Sequence, residues 1–172
     1  MIKRNSFSMT LDSRSVNEGF ARSVVSAFAT ILDPTVEEIS DIKTAVSEVV
    51  TNCTVHAYPD SIGKIYINCE IDGTTLTVKI RDKGVGIKDV KQAMEPLFTT
   101  AGGERAGLGF AVMQNFMDDV KVRSKPEKGT TVIMKKHISV RYDMRREGTA
   151  RNRKSAAGNL PLRQVFGTRH RF

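Results

Sequence analysis

Residues 64–81 narrow the fold more than any other stretch. Ile65, Ile67, Cys69 and Ile71 alternate with Lys64, Tyr66, Asn68 and Glu70, and Leu76, Val78 and Ile80 alternate again after Asp72-Gly73. An Asp-Gly pair between two alternating runs predicts a two-residue β-hairpin turn, because these residues tolerate the backbone angles it needs. Period-two alternation gives each strand one apolar and one polar face. Such a sheet requires cover on one side only, so the rest of the chain must supply helices to one face of an antiparallel sheet.

The cover is legible upstream. Val36, Ile39, Ile42, Val46, Val49, Val50 and Cys53 recur at intervals of three and four, the spacing of an amphipathic helix. It is expected to run to about His56, with Tyr58-Pro59-Asp60 as its exit. An earlier helix is expected from Ser15, as its cap, to about Leu32, with Phe20, Val24, Phe28 and Ile31 on one face. Asp33-Pro34 separates the two, since Pro suits the first turn of a helix. Phe7, Met9 and Leu11 alternate as a strand. Residues 82–106 hold four glycines and little periodicity, so they read as a long loop of the kind that usually carries function. A helix is expected from near Gly107, with Leu108, Val112, Met113, Phe116 and Met117. Val120 and Val122 mark a strand, residues 126–129 a turn, and Thr131–Ile138 the last strand. The order points to an α+β two-layer sandwich, a mostly antiparallel sheet covered on one face by helices.

Charge separates this body from the end of the chain. The formal net charge is +8, of which residues 1–138 carry +1 and residues 139–172 carry +7. The folded domain is therefore expected within 1–138, followed by a basic extension over 139–172, disordered by composition. With no Trp, no aromatic platform for nucleic acid is expected in the domain. No apolar run reaches the length of a membrane span, and the first residues lack the hydrophobic stretch of a signal peptide. The two cysteines, Cys53 and Cys69, lack metal-ligand spacing. Reduced thiols in the cytoplasm are the expectation.

Three short segments carry the chemistry. Glu48, Asn52 and His56 fall at i, i+4 and i+8, a polar stripe beside the apolar face of one helix. A solvated face has the same spacing, but a polar stripe at a core margin needs partners. Asp82-Lys83-Gly84-Val85-Gly86 follows a strand directly. Its glycines let the backbone approach a ligand, and its Asp can accept a hydrogen bond from an exocyclic amine; Asp and Gly are also ordinary turn residues. Gly107-Leu108-Gly109 opens a helix whose first amides form a site for phosphate, or else it is a flexible entry. Arg105 adds a cation just ahead of it.

These segments, with Gly129-Thr130-Thr131 entering a strand, occur in an order that resembles the GHKL family of ATP-binding domains, over roughly residues 7–138. Three stretches, Ser47–Asn52, Glu95–Thr100 and Gln114–Asp118, bring the chain closer to the sporulation anti-sigma serine kinases of that family. The resemblance implies a Bergerat fold that binds ATP and Mg²⁺. It implies that Asn52 ligates the metal and that Asp82 recognises the adenine amine with help from Thr130. Gly84 and Gly86 line the adenine pocket, and Gly107 and Gly109 cradle phosphates. Glu48 is implied as general base, Arg105 as a cation at the terminal phosphate, and Thr99 and Thr100 as part of a lid. His56 is expected to be structural.

For partners, the resemblance implies a sigma factor, an anti-anti-sigma factor phosphorylated on serine, and a homodimer. Arg22, in Phe20-Ala21-Arg22, and the pair Glu104-Arg105 are implied as partner contacts; an ordinary exposed helix charge is the other reading of Arg22. A sigma-binding module that uses ATP without transferring phosphate would need Asn52, Asp82 and the glycines but not Glu48. A histidine-kinase half would need an upstream phospho-accepting helix. Nucleic-acid binding would have to rest on the basic tail and fall steeply with salt.

Overall fold

The computed structural model describes residues 4–95 and 109–139. Strand β1 (Asn5–Asp12) is followed by helix α1 (Val16–Ala29), which tightens into a 3₁₀ turn over Thr30–Leu32. Helix α2 (Val36–Asn52) continues as a π-helical turn over Cys53–Ala57. Strands β2 (Lys64–Asp72) and β3 (Thr75–Arg81) form the predicted hairpin. A one-turn helix α3 (Val90–Ala93), helix α4 (Gly109–Phe116) and strands β4 (Asp119–Lys125) and β5 (Gly129–His137) complete the order.

The five strands pair antiparallel throughout, in the order β1-β2-β3-β5-β4. Register places the apolar positions on one face: Met9 pairs with Ile67, Ile67 with Ile80, and Ile80 with Val132. Those residues join Ala21, Val25, Ile42, Val46, Val49 and Met113 of the helices in one core. The opposite face carries Asn68, Lys79, Arg81, Lys121 and Arg123, all exposed. The fold is the expected α+β two-layer sandwich.

Two caps differ from the sequence reading. Ser15 precedes α1 but makes no side-chain cap; Asn17 instead donates from Nδ2 to the Asp12 carbonyl. The start of α2 is a full capping box: the Thr35 hydroxyl accepts from Glu38 N, and Glu38 Oε2 accepts from Thr35 N. Pro34 thus stands just outside that helix rather than in its first turn. Asp33 breaks the chain between the helices by adopting a left-handed φ of 53°.

The face of α1 also differs. Phe20 and Ile31 were expected inside but are 54% and 43% exposed, while Ala21, Val25 and Ala29 are fully buried. Small residues let α1 lie close against α2, and only Phe28 of the expected aromatics packs inward, edge-on to Phe7 at 4.9 Å. Val36 is 89% exposed, so the buried stripe of α2 begins later, at Ile39 and Ile42. The expected loop over 82–106 contains α3, nucleated by the Asp89 carboxylate accepting from Gln92 N. Lys136 ties three elements together: its Nζ meets Asp41 Oδ2 of α2 at 2.9 Å and the Phe116 carbonyl at the end of α4 at 2.7 Å.

Candidate functional site

A cavity of about 480 Å³ opens between the end of α2, the loop after β3, α3 and the start of α4, within the range usual for small-molecule sites. Asn52, His56, Asp82, Gly86, Gly109 and Thr130 are among its lining residues.

Asp82 sits at its base, 4% exposed. Its Oδ1 accepts from the amides of Gly84 at 2.9 Å and Thr130 at 3.1 Å. Its own amide donates to the Thr130 carbonyl at 2.9 Å, which joins the end of β3 to the start of β5. Thr130 in turn shares a hydroxyl contact with Ser124 at 2.9 Å, and Ser124 accepts from Ile87 N. Thr130 therefore meets Asp82 as the sequence reading required. Ser124, absent from that reading, fixes the far side of the loop.

The glycines are needed for closeness. A Cβ on Gly84 would stand 2.0 Å from the Ala57 carbonyl oxygen, and one on Gly86, which also has φ +70°, would stand 2.2 Å from that of Lys125. The loop is pressed against the π-helical turn on one side and the β4–β5 turn on the other. Val85 N donates to Ala57 O at 3.0 Å, and Glu127 N to Val85 O at 2.8 Å. Tyr58 adds a strut, its hydroxyl donating to Lys64 O at 3.0 Å and accepting from Lys83 N at 2.8 Å. Tyr58 was expected only as the helix exit, and the π turn escaped the sequence reading because no residue type announces one.

At the other end of the cavity, Gly109 opens α4 directly against α2. A Cβ there would lie 3.1 Å from Glu48 Oε2 and 3.4 Å from Asn52 Nδ2. The structure thus brings Glu48, Asn52 and Gly109 together, and Asp82, Gly84, Gly86 and Thr130 together. His56 lines the cavity beyond Asn52, and burial pushes its imidazole pKa down. Arg22 lies on the outer side of α1, paired with Glu18 at 2.7 Å. Thr99, Thr100, Glu104, Arg105 and Gly107 lie outside the described residues, as does the tail beyond Ser139.

The donor set fits a magnesium ion carried in with phosphates. Mg²⁺ takes oxygen ligands, keeps several waters and commonly uses one or two protein groups. The Asn52 amide oxygen, beside the helix start of Gly109, would supply one such group. Among the described residues no cluster of three or more His, Cys, Asp or Glu forms a self-sufficient metal cage.

Comparison with known proteins bears on the family and the fold. The family model described as "Histidine kinase-like ATPase domain" matches residues 9–136. An anti-sigma F factor of Thermoanaerobacter sp. (strain X514) is 56% identical over 135 residues, covering 78% of this chain and 94% of that protein. An anti-sigma F factor of Bacillus subtilis (strain 168) is 46% identical over 138 residues, covering 79% and 94%. Among solved structures, the RsbU and RsbW domains of a Mycobacterium tuberculosis protein superpose with a TM-score of 0.59 at 18% identity. That match covers 80% of this chain and a third of the other (33%), and it speaks to the fold. A buried carboxylate under a cavity, glycines pressed to backbone, a Glu–Asn pair at a helix start and these relatives converge: the chain belongs to the histidine kinase-like ATPase domain family, in the group of the anti-sigma F factors.

Proposed function

We infer that this protein is a cytoplasmic anti-sigma factor that holds a sporulation sigma factor. We further infer that it uses Mg-ATP to phosphorylate an anti-anti-sigma partner on serine. The observation that carries the kinase half is the placement of the Glu48 carboxylate beside Asn52, both against Gly109 at the head of α4. A nucleotide seated with its base on Asp82 would reach along the cavity to that end. There the first amides of α4 favour phosphate charge.

In this reading Asn52 would hold Mg²⁺, which would neutralise charge at the phosphates. Glu48 takes the proton of the incoming serine hydroxyl. The serine oxygen bonds to the γ-phosphorus as the bond from phosphorus to the ADP oxygen breaks, and ADP leaves. Such a transfer depends mostly on positioning and charge, so a carboxylate placed beside the metal ligand suffices as base. Thr99 and Thr100 are assigned to closing the site over ATP, Gly107 with Gly109 to cradling its phosphates, and Arg105 to the terminal phosphate. Arg22, Glu104 and Arg105 are assigned to partner contact, in a homodimer.

The test is incubation of the wild type and Glu48→Gln with labelled Mg-ATP and an anti-anti-sigma protein, followed by mapping of the modified residue. The wild type should label one serine, and the variant should bind ATP with unchanged affinity but transfer at least a hundredfold more slowly, the lower end of what general bases contribute. Equal transfer by both would remove Glu48 as base. ATP-dependent sigma binding without transfer by the wild type would leave a binding module.

A further inference from the structure

The Asp82 carboxylate is held unevenly. Backbone amides occupy Oδ1, while Oδ2 faces Cys53 Sγ at 3.8 Å. Among the described residues that thiol is the donor to Oδ2. Cys53 and Asp82 are each 4% exposed, and both line the cavity.

The backbone explains why the thiol reaches this place. Cys53 opens the π-helical turn and Ala57 closes it, and both are buried. The turn grips the loop after β3 at two points: the thiol on the Asp82 carboxylate, and the Ala57 carbonyl on the Val85 amide. π turns inserted in helices are frequent at functional sites because they redirect side chains locally. Here the wider turn keeps both Cys53 and Ala57 against one loop.

We propose that Cys53 is a positioning residue for base recognition: its thiol donates to Asp82 Oδ2 and leaves that oxygen's other lone pair aimed at the exocyclic amine of a bound purine. The assignment rests on the nucleotide reading given above. An ordinary buried cysteine acts as a small hydrophobe, and its loss weakens every ligand of the cavity alike. A thiol acting through Asp82 affects only ligands that carry the amine.

The test uses the full chain with Mg²⁺ and two probes, ADP and the purine riboside diphosphate that has hydrogen in place of the 6-amino group. Binding is measured by calorimetry for the wild type, Cys53→Ala and Cys53→Ser. The wild type should prefer ADP. Cys53→Ala should lose about three- to tenfold in ADP affinity, the worth of one modest hydrogen bond, with the des-amino probe unchanged. Cys53→Ser, which restores a donor, should recover the preference. A parallel loss for both probes, or a preference untouched in Cys53→Ala, overturns the role of Cys53 while leaving nucleotide binding standing. A wild type that binds neither probe overturns both.

Discussion

Substituting Gly84 by alanine tests the packing that shapes the site. The added Cβ would stand 2.0 Å from the Ala57 carbonyl oxygen and 2.5 Å from its carbon. An ordinary carbon–oxygen approach is about 3.3 Å, so the loop must retreat by more than about 1 Å. The obstacle is backbone, with no side chain to swing aside. That retreat breaks the Val85 N to Ala57 O bond of 3.0 Å and pulls the Gly84 amide from Asp82 Oδ1, now at 2.9 Å. Two hydrogen bonds at about 1 kcal/mol each, plus residual strain of about 1 kcal/mol, give a loss of about 3 kcal/mol. For a domain of this size that is a fall of roughly 8–15 °C in melting temperature. ADP affinity should fall with it, because Asp82 loses an amide that orients it. Gly73→Ala is the matched control: its φ is +61°, yet nothing lies within 4 Å of the new Cβ. It should cost about 1 kcal/mol, the left-handed penalty alone, and leave ADP binding intact. Thermal unfolding and ADP titration of both variants decide the matter. If Gly84→Ala melts no lower than Gly73→Ala and binds ADP normally, the loop does not depend on this contact.

Other variants probe the frame around the cavity. Glu38 is held below its ordinary pKa: burial opposes ionisation, and hydrogen bonds from Thr35 and Ser139 outweigh it. A folded-state pKa below the unfolded one gives stability that is full above the unfolded value and fades as pH falls through the folded value. Glu38→Ala should therefore lower stability by about 1 kcal/mol at pH 7, and chemical denaturation at pH 3 should show a smaller gap. Lys136→Met leaves Asp41 and the Phe116 carbonyl without their shared cation, and denaturant titration should report a loss of about 2 kcal/mol, partly recovered when Asp41→Leu is added. Truncation after Val140 should leave melting temperature within about 2 °C, an effect below 1 kcal/mol, and ADP affinity unchanged; a large fall would place residues 141–172 in the domain.

The sequence showed the sheet well because alternation and an Asp-Gly turn are local signals. Ile65–Ile71 and Leu76–Ile80 took the places their spacing required. The long-range closures were legible only as a set: nothing in Asp82, Thr130 or Gly109 alone says which element each will meet. The face of α1 was misread because hydrophobicity was taken as a proxy for burial. Phe20 is large and exposed, while Ala21 and Ala29 are small and inside, since close helix packing selects for size. The π turn and the contact of Cys53 with Asp82 arise from backbone geometry that periodicity does not encode.

The strand order has a consequence for how the chain is made. β5 is last in sequence but lies between β3 and β4, and its Thr130 amide completes the hold on Asp82. A nascent chain that has emerged only as far as residue 128 has β1, β2, β3 and β4 available, yet the inner edge of β3 has no neighbour until β5 follows. The Asp82 carboxylate also lacks one of its amides. Ribosomes add roughly 5–20 residues each second, so this interval is short but real. The cavity is therefore complete only once β5 has paired, and a ligand that stabilises only the finished sheet would favour complete chains over prematurely ended ones.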